Sequence, residues 1–282
     1  MKTFFKAAAV AVSLGGMLAG TALADHHGHD ASAKLDAVLA AQPDEAKARY
    51  QYRHPKETLE FFGVKPGMTV ADTLPGAYYS RILLPYLGDE GALIGVQYSL
   101  AHRSIDWKGD AEKLAHHKAW PVRFTASAED WRGGSKADIS AHLFGDFPAS
   151  MDGTVDVFLM VRATHHLHKH EGAGGTLTGA LADIMRVLKP GGTLGIVQHR
   201  APEGNSDEWA KGFNGYLKQD AVIKAVTDAG FEFIEASEMN ANPKDQPTES
   251  DYVWRLPPAN KDGSNDHIGE SDRMTLKFKK PE

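Results

Sequence analysis

Histidines that closely follow apolar runs are the first candidates for chemistry in this chain. His165 and His166 come shortly after the run Val155–Val161, and His199 directly follows the run at 193–198. Imidazole titrates near neutral pH, so His165 and His199 are candidate general acid–base groups. Of the adjacent pair, at least one histidine is expected to pack structurally.

Two arginines stand beside these histidines. Arg162 ends the first apolar run, and Arg200 follows His199. A guanidinium can hold a carboxylate or a phosphate through two parallel hydrogen bonds. Arg200 is therefore a candidate for binding an anionic group in the same pocket as His199.

Two earlier apolar runs also end in polar residues. Asp72 closes the first and is followed by a Pro75-Gly76 turn, and Gln97 closes the second. Glycine lets the backbone approach a ligand closely, and an amide oxygen accepts a hydrogen bond without carrying charge. An ordinary strand-to-helix turn and a polar strand cap explain the same residues equally well.

The elements that would position these residues alternate along the chain. Predicted strands and helices of about 10–15 residues follow one another, which predicts a mostly parallel sheet with helices on both faces. The last strand alternates polar and apolar residues, as an edge or antiparallel strand does. Predicted strands cover 68–73, 92–97, 122–125, 155–161, 193–198, 231–237 and 273–279, and predicted helices cover 33–41, 44–62, 79–87, 110–118, 176–188 and 220–229.

Ligands of an open parallel sheet bind beyond the carboxyl ends of its strands, near the point where strand order reverses. The turns after Asp72, Gln97, Val161 and Gln198 all lie at such ends. We therefore expect their side chains to converge on one cleft. The stretch 240–272 is too long for a simple connection, and we expect it to fold over the sheet edge or the pocket.

These segments together resemble class I methyltransferases. Asp72 stands where that family has an acidic residue, and Gly76 stands for the central glycine of a GxGxG turn whose outer glycines are here Leu74 and Tyr78. Gln97 occupies the place of the acid that binds the ribose hydroxyls. The stretch 188–192 (LKPGG) before an apolar strand is the most specific match.

The resemblance implies a Rossmann-like fold with a mostly parallel seven-stranded sheet and an antiparallel last strand. It implies S-adenosylmethionine as cofactor and methyl transfer to a small-molecule acceptor. The cofactor would be held by Asp72, Pro75, Gly76, Gln97 and Arg162. The acceptor would face His165, His199 and Arg200.

The N-terminus reads as an export signal. Lys2 and Lys6 precede an apolar stretch, and Ala22-Leu23-Ala24 forms a small-x-small cleavage site. We expect a signal peptide at 1–24, a flexible leader at 25–45 and one domain at 46–282 that includes the long segment 240–272. The chain also resembles exported bacterial proteins labelled as predicted methyltransferases, which implies the periplasm.

Composition limits the remaining possibilities. Removal of the signal takes away two lysines and no acid, so the net charge moves from −6 to −8. An acidic protein is poorly suited to binding nucleic acid phosphates. No segment beyond the signal is apolar enough to span a membrane. There is no cysteine, which excludes disulfides and thiolate metal sites. The oligomeric state stays open.

Two other functions remain open at this point. The chain could be a periplasmic ligand-binding protein on the same fold that no longer uses the cofactor. It could also bind Cu(II) or Ni(II) through its histidines, because His26 and His27 would follow a new N-terminus at Asp25. His166 and His170 have the spacing of a helical metal-binding pair.

Overall fold

The structure is a computed structural model that describes residues 19–282, with side chains from residue 30 onwards. Within these residues seven strands form one sheet. The strands are β1 (Thr69–Thr73), β2 (Ala92–Gln97), β3 (Asp138–Leu143), β4 (Val155–Val161), β5 (Leu188–His199), β6 (Glu232–Ser237) and β7 (Arg273–Lys279).

Helices connect the strands in the same part of the chain. They are α1 (Ala19–Ala40), α2 (Asp44–Lys47), α3 (Tyr50–Arg53), α4 (Pro55–Phe61), α5 (Ala77–Leu87), α6 (Leu100–Asp106), α7 (Ala111–Lys118), α8 (Trp120–Ala128), α9 (Thr164–His168), α10 (Glu171–Gly174), α11 (Thr176–Val187) and α12 (Gln219–Asp228). Short 3-10 turns lie at Glu129–Trp131, Ala149–Met151 and Val253–Arg255.

The strand order is β3-β2-β1-β4-β5-β7-β6. Neighbouring strands from β3 to β5 run parallel, and β7 runs antiparallel between β5 and β6. The chain builds outward from β1 in one direction and then returns to its other side with β4, so strand order reverses between β1 and β4. The predicted fold, a mostly parallel seven-stranded sheet with an antiparallel last strand, is confirmed.

Helices cover both faces of this sheet, and the strand sequences show why. In β4, Phe158 and Met160 pack in one core with α11, whereas Val157 and Leu159 pack in a second core with α5. Adjacent residues of a strand point to opposite faces, so a strand covered on both sides must be apolar throughout. The continuous apolar run of β4 has this origin.

Two predicted elements were wrong. Residues 122–125 belong to helix α8, where Val122 is exposed and Phe124 is buried against Gly95 of β2. The strand beside β2 is instead β3, within a stretch predicted to be loop. As an edge strand β3 is only half covered, so its sequence is too polar to show a strong strand pattern.

The N-terminal region also differs from the prediction. The short helix expected near 33–41 is part of the longer α1, and Leu35 and Leu39 are buried against the core that contains α4 and α5. The part of the predicted flexible leader from Ala31 onwards is therefore helical and packed. Most of the predicted signal, residues 1–18, lies outside the described residues. No helix among the described residues is long and apolar enough to span a membrane.

We expect Gly195→Ala to destabilise the protein by about 1–3 kcal/mol, the usual cost of overpacking. A Cβ at Gly195 would lie 2.6 Å from the buried ring of Phe62, which cannot move aside. Gly179→Ala on α11 is the control, because open space surrounds Gly179 and a helix favours alanine by about 0.5–1 kcal/mol. Urea unfolding of both variants tests this. Equal stabilities would contradict the packing described.

Candidate active site

A cavity of about 330 Å³ lies at the carboxyl ends of β1, β4 and β5. This is the rim where strand order reverses, and its size falls at the small end of the range for ligand sites. Side chains of the sheet ends form its floor, and two stretches of the segment 240–272 form its roof. The lining residues are Leu74, Val161, Arg162, His165, His166, His199, Val253, Trp254, Leu256, Pro257, Pro258, Ala259, Glu270, Ser271 and Arg273.

Two residues at the floor have left-handed backbone conformations. Leu74 follows β1 with φ of 55°, and Arg162 follows β4 with φ of 57°. Each still bonds to the neighbouring strand, with Leu74 N–H donating to Val96 O at 2.8 Å and Arg162 N–H donating to Val197 O at 2.6 Å. Residues other than glycine pay about 1–2 kcal/mol for this conformation. Such strain concentrates at functional sites.

His165 presents a free ring nitrogen at this site. The amide nitrogen of Gln198 donates to two carbonyls, those of His199 and Gly215, so its oxygen must face His165 as an acceptor. His165 Nδ1 lies 3.1 Å from that oxygen and therefore carries the proton. The other nitrogen, Nε2, is buried and has no partner within the described residues. Burial, together with nearby His166, holds the pKa of His165 well below the usual value, so the ring is neutral.

Aromatic rings surround His165. The ring centroids of His166 and His199 lie 4.0 and 5.4 Å from it, and that of Trp254 lies 6.0 Å away. His199 Nδ1 shares a 2.6 Å hydrogen bond with Ser271 Oγ, and burial lowers its pKa well below the usual value. Burial also lowers the pKa of His166 to about 4. The wall of the cavity is therefore aromatic and uncharged at neutral pH.

The cavity lining also includes charged groups, which cluster around Glu270. Its carboxylate accepts from Arg49 Nε at 2.8 Å, from Arg53 Nε at 3.1 Å and from Arg273 Nη2. Burial alone would raise the pKa of Glu270, but these three guanidiniums outweigh it and lower the pKa to about 2. The ring of Tyr78 packs on this group, with the Arg53 guanidinium 4.4 Å from its centroid.

Asp72 is buried and Arg162 is half-buried, and both lack such partners. Neither side chain has a hydrogen-bond partner within residues 30–282. Burial raises the pKa of Asp72 to about 7, although the charge of Arg162 acts in the opposite direction. Burial, with the repulsion of Arg53 and Arg273, lowers the pKa of Arg162 to about 9. Both groups are costly to keep in place, and Arg162 faces the cavity.

The long segment is tied down by a buried carboxylate. Asp245 accepts hydrogen bonds from the Tyr216 hydroxyl at 2.9 Å, from Arg255 Nη2 at 2.8 Å and from Asp272 N–H at 3.0 Å. These bonds link both ends of the roof to the body of the domain. The expectation that this segment folds over the pocket agrees with its place in the structure.

Of the predicted site residues, His165, His199 and Arg162 line the cavity together. Asp72, Pro75, Gly76 and Gln97 do not line it. Gly76 begins α5 beside open space, since nothing lies within 4 Å of a Cβ added there. Gln97 was expected to accept bonds from a ribose. Its oxygen instead accepts from Tyr98 N–H at 3.0 Å, with Arg103 Nη2 at 3.4 Å.

Arg200 does not lie in this cavity, contrary to the prediction. Its five N–H groups bond to both carboxylate oxygens of Glu238 at 2.7 Å, to Asp272 at 2.9 and 3.1 Å and to Gln219 Oε1 at 3.3 Å. Consecutive residues of a strand point to opposite sides, so Arg200 leaves the sheet away from His199. A guanidinium saturated in this way fastens the roof and has no donors left for a ligand.

The histidine-metal hypothesis finds no support at His166 and His170. Helix α9 ends at His168, and His170 Nε2 instead bonds to Asp106 Oδ1 at 2.8 Å. His102 completes a cluster of possible ligands there, but Lys169 donates to the same carboxylate at 2.7 Å and Arg103 at 3.1 Å. These cations already neutralise the carboxylate. The side chains of His26 and His27 lie outside the described part.

Sequence reasoning missed the residues that complete the site from distant segments. Arg49 and Arg53 were not singled out, although their spacing of four places them on one helical face. Trp254 and Glu270 entered the predictions only as members of the long segment 240–272, with no role of their own. The structure shows that Glu270 and Arg273 form an ion pair and also line the cavity.

No model of a known protein family matches the sequence, and no curated protein matches it either. Solved structures do match this chain. The chain is similar to a SAM-dependent methyltransferase from Aquifex aeolicus, with a TM-score of 0.51 and 19% identity over 84% of this chain and 98% of that one. It is also similar to the protein named as a methyltransferase in a complex with a methyltransferase activator from Haloferax volcanii. That match has a TM-score of 0.50 and 19% identity, and it covers 88% of this chain and 98% of the other. These likenesses show a Rossmann-like methyltransferase fold.

We expect Asp72→Asn to stabilise the protein at pH 8 by up to about 4 kcal/mol, at about 1.4 kcal/mol for each unit of pKa shift. The pKa of this carboxyl rises from 3.8 to about 7 on folding, so stability is lost as pH increases through that window. The gain should therefore shrink steadily from pH 8 to pH 4. Thermal unfolding against pH measures it, with exposed Asp130→Asn as the control. A gain independent of pH would show that Asp72 does not titrate in this way.

We also expect His165 to stay neutral with its proton on Nδ1 at pH values well below 6.5. Nitrogen chemical shifts of the labelled ring report both the tautomer and the titration. Gln198→Leu removes the acceptor that fixes the tautomer and should mix the two forms. A ring that titrates near pH 6.5 in the unmodified protein would contradict its buried, uncharged state.

Proposed function

We propose that this protein transfers a methyl group from S-adenosylmethionine to a small molecule bound in the cavity. The observation that carries the proposal is the cavity at the rim between β1, β4 and β5, beside a β1 turn that keeps the left-handed backbone at Leu74. A glycine stands at that position in the resembled motif. The methyltransferase fold supports the proposal, and fold alone does not establish an activity.

The residues present fit the cofactor on two counts. Open space lies over Gly76, and the ring of Tyr78 does not fill it, because that ring packs against Arg53. The replacement of an outer glycine by Tyr78 therefore does not block the approach to this turn. The Gln97 amide nitrogen has no partner within the described residues and can donate a hydrogen bond to a ribose hydroxyl. The sequence had instead predicted that the Gln97 oxygen would accept a bond from the ribose.

The bound cofactor would supply an electrophilic methyl group, and the protein's own residues would prepare the acceptor. The rings of His166, His199 and Trp254 give the acceptor an aromatic wall without charge at neutral pH. The free Nε2 of His165 can accept a hydrogen bond from the acceptor atom and orient it, while Gln198 holds the ring in place. Because burial holds the pKa of His165 well below its usual value, the ring serves as a neutral hydrogen-bond acceptor better than as a base that keeps the proton.

We propose further that the protein acts in the periplasm. The basic start, the apolar stretch and the small-x-small site at 22–24 support export. Fractionation of cells that express the full chain tests this. Recovery of the protein at full length in the cytoplasm would contradict it.

Calorimetric titration of the purified protein with S-adenosylhomocysteine tests the function. We expect binding with a micromolar dissociation constant, and we expect Gly76→Leu to abolish it because the new side chain would fill the open space over the turn. The backbone at Gly76 has φ of −136°, which any residue adopts, so the variant should fold normally.

The matched control is Gly204→Leu, which adds the same side chain at another position with open space around it. The control should bind like the unmodified protein. Absence of heat from the unmodified protein at high micromolar ligand would overturn the enzyme proposal and favour a binding protein without the cofactor. Unchanged binding by Gly76→Leu would place the cofactor elsewhere.

A further inference from the structure

Building on the proposed methyl transfer, we infer that the acceptor carries an anionic group, a carboxylate or a phosphate, which pairs with Arg162 inside the cavity. The rest of the acceptor would be flat and apolar. This assigns a substrate class to the site and gives Arg162 the role of anchoring the acceptor.

Arg162 differs from the arginines around it. Arg49, Arg53 and Arg273 all donate to Glu270, whereas the guanidinium of Arg162 makes no hydrogen bond or ion pair within the described residues. Its side chain is half-buried, and it lines the cavity. A cation that is partly withdrawn from water and has no direct partner gains from a ligand that supplies one.

The charges nearby point in the same direction. Four guanidiniums, those of Arg49, Arg53, Arg162 and Arg273, face two carboxyls, those of Glu270 and Asp72. At least two positive charges therefore stay uncompensated even when Asp72 is ionised. A bidentate contact from a guanidinium to a carboxylate or phosphate would neutralise one of them.

The position of Arg162 favours the acceptor over the cofactor as the source of the anion. Apart from Leu74 after β1, the cavity is lined by residues of β4, β5, helix α9 and the roof, and neither Gly76 nor Gln97 borders it. The same cavity is lined by the rings of His166 and Trp254, whose planes are inclined by 36°, and by Pro257. Such a wall accommodates a flat apolar body with its anionic end towards Arg162.

Binding of phenyl phosphate and phenylacetate tests the inference, with benzyl alcohol as the neutral probe. We expect the unmodified protein, without cofactor, to bind the two anions and not the alcohol. Arg162→Gln should weaken anion binding by about tenfold or more, since hydrogen bonds between charged groups are strong. Arg123→Gln removes an exposed charge elsewhere and should bind like the unmodified protein.

A stability measurement separates anchoring from a structural role. Without ligand, Arg162→Gln should raise the melting temperature, because it removes an unpaired charge that is repelled by Arg53, Arg273 and Arg49. Arg273→Gln should lower it, because it breaks the ion pair with Glu270. A lower melting temperature for Arg162→Gln, or failure of the unmodified protein to bind either anion at millimolar concentration, would overturn the inference.

Titration with S-adenosylhomocysteine and with methylthioadenosine, which lacks the carboxylate, identifies the source of the anion. Arg162→Gln should leave both affinities unchanged. Selective weakening of S-adenosylhomocysteine would assign Arg162 to the cofactor and overturn the acceptor assignment. Anion binding by a protein that binds neither nucleoside would uphold the anion site while removing methyl transfer, so the two failures are distinct.

Discussion

The buried ion pairs of Glu270 hold together parts of the chain that are far apart in sequence. Arg49 and Arg53 reach this carboxylate from the N-terminal helices, and Arg273 reaches it from the start of β7. Removing one partner of such a buried group costs about 3–5 kcal/mol, because the remaining charges cannot regain water. The cavity keeps its shape because its roof, its floor and the N-terminal helices meet at one carboxylate.

The geometry of the cavity floor requires local backbone strain and partial burial of charge. Leu74 and Arg162 hold left-handed backbones. Asp72 is buried and Arg162 is half-buried, and neither side chain has a hydrogen-bond partner within the described residues. A chain selected only for stability would place glycine at positions 74 and 162 and an apolar residue at position 72. These costs fall at the rim where a ligand binds in this class of sheet. Their concentration there is the strongest physical reason to regard the rim as the site of function.

The parts of this fold that could be predicted are those whose sequence pattern lies within the element itself, and the rest depend on contacts between residues distant in sequence. The bounds of β2 and β4 followed from continuous apolar runs, and those of β7 followed from its alternation of polar and apolar residues. Edge strand β3 gave neither pattern. Likewise His165, His199 and Arg162 were found because they lie at or shortly after strand ends, whereas the partners of Arg200 lie 38 and 72 residues away from it. Sequence proximity to a strand end identifies candidates, and only tertiary contacts show which of them are already occupied.

The anchoring of the roof through Asp245 has a consequence for kinetics. Its three hydrogen bonds join Tyr216, Arg255 and the backbone of Asp272, so lifting either end of the roof breaks contacts at the other. Any opening of the segment would therefore be cooperative and would not proceed residue by residue. Exchange of a molecule beneath it would be limited by that collective opening, and residence time would follow the strength of the Asp245 contacts more than the affinity of the cavity floor.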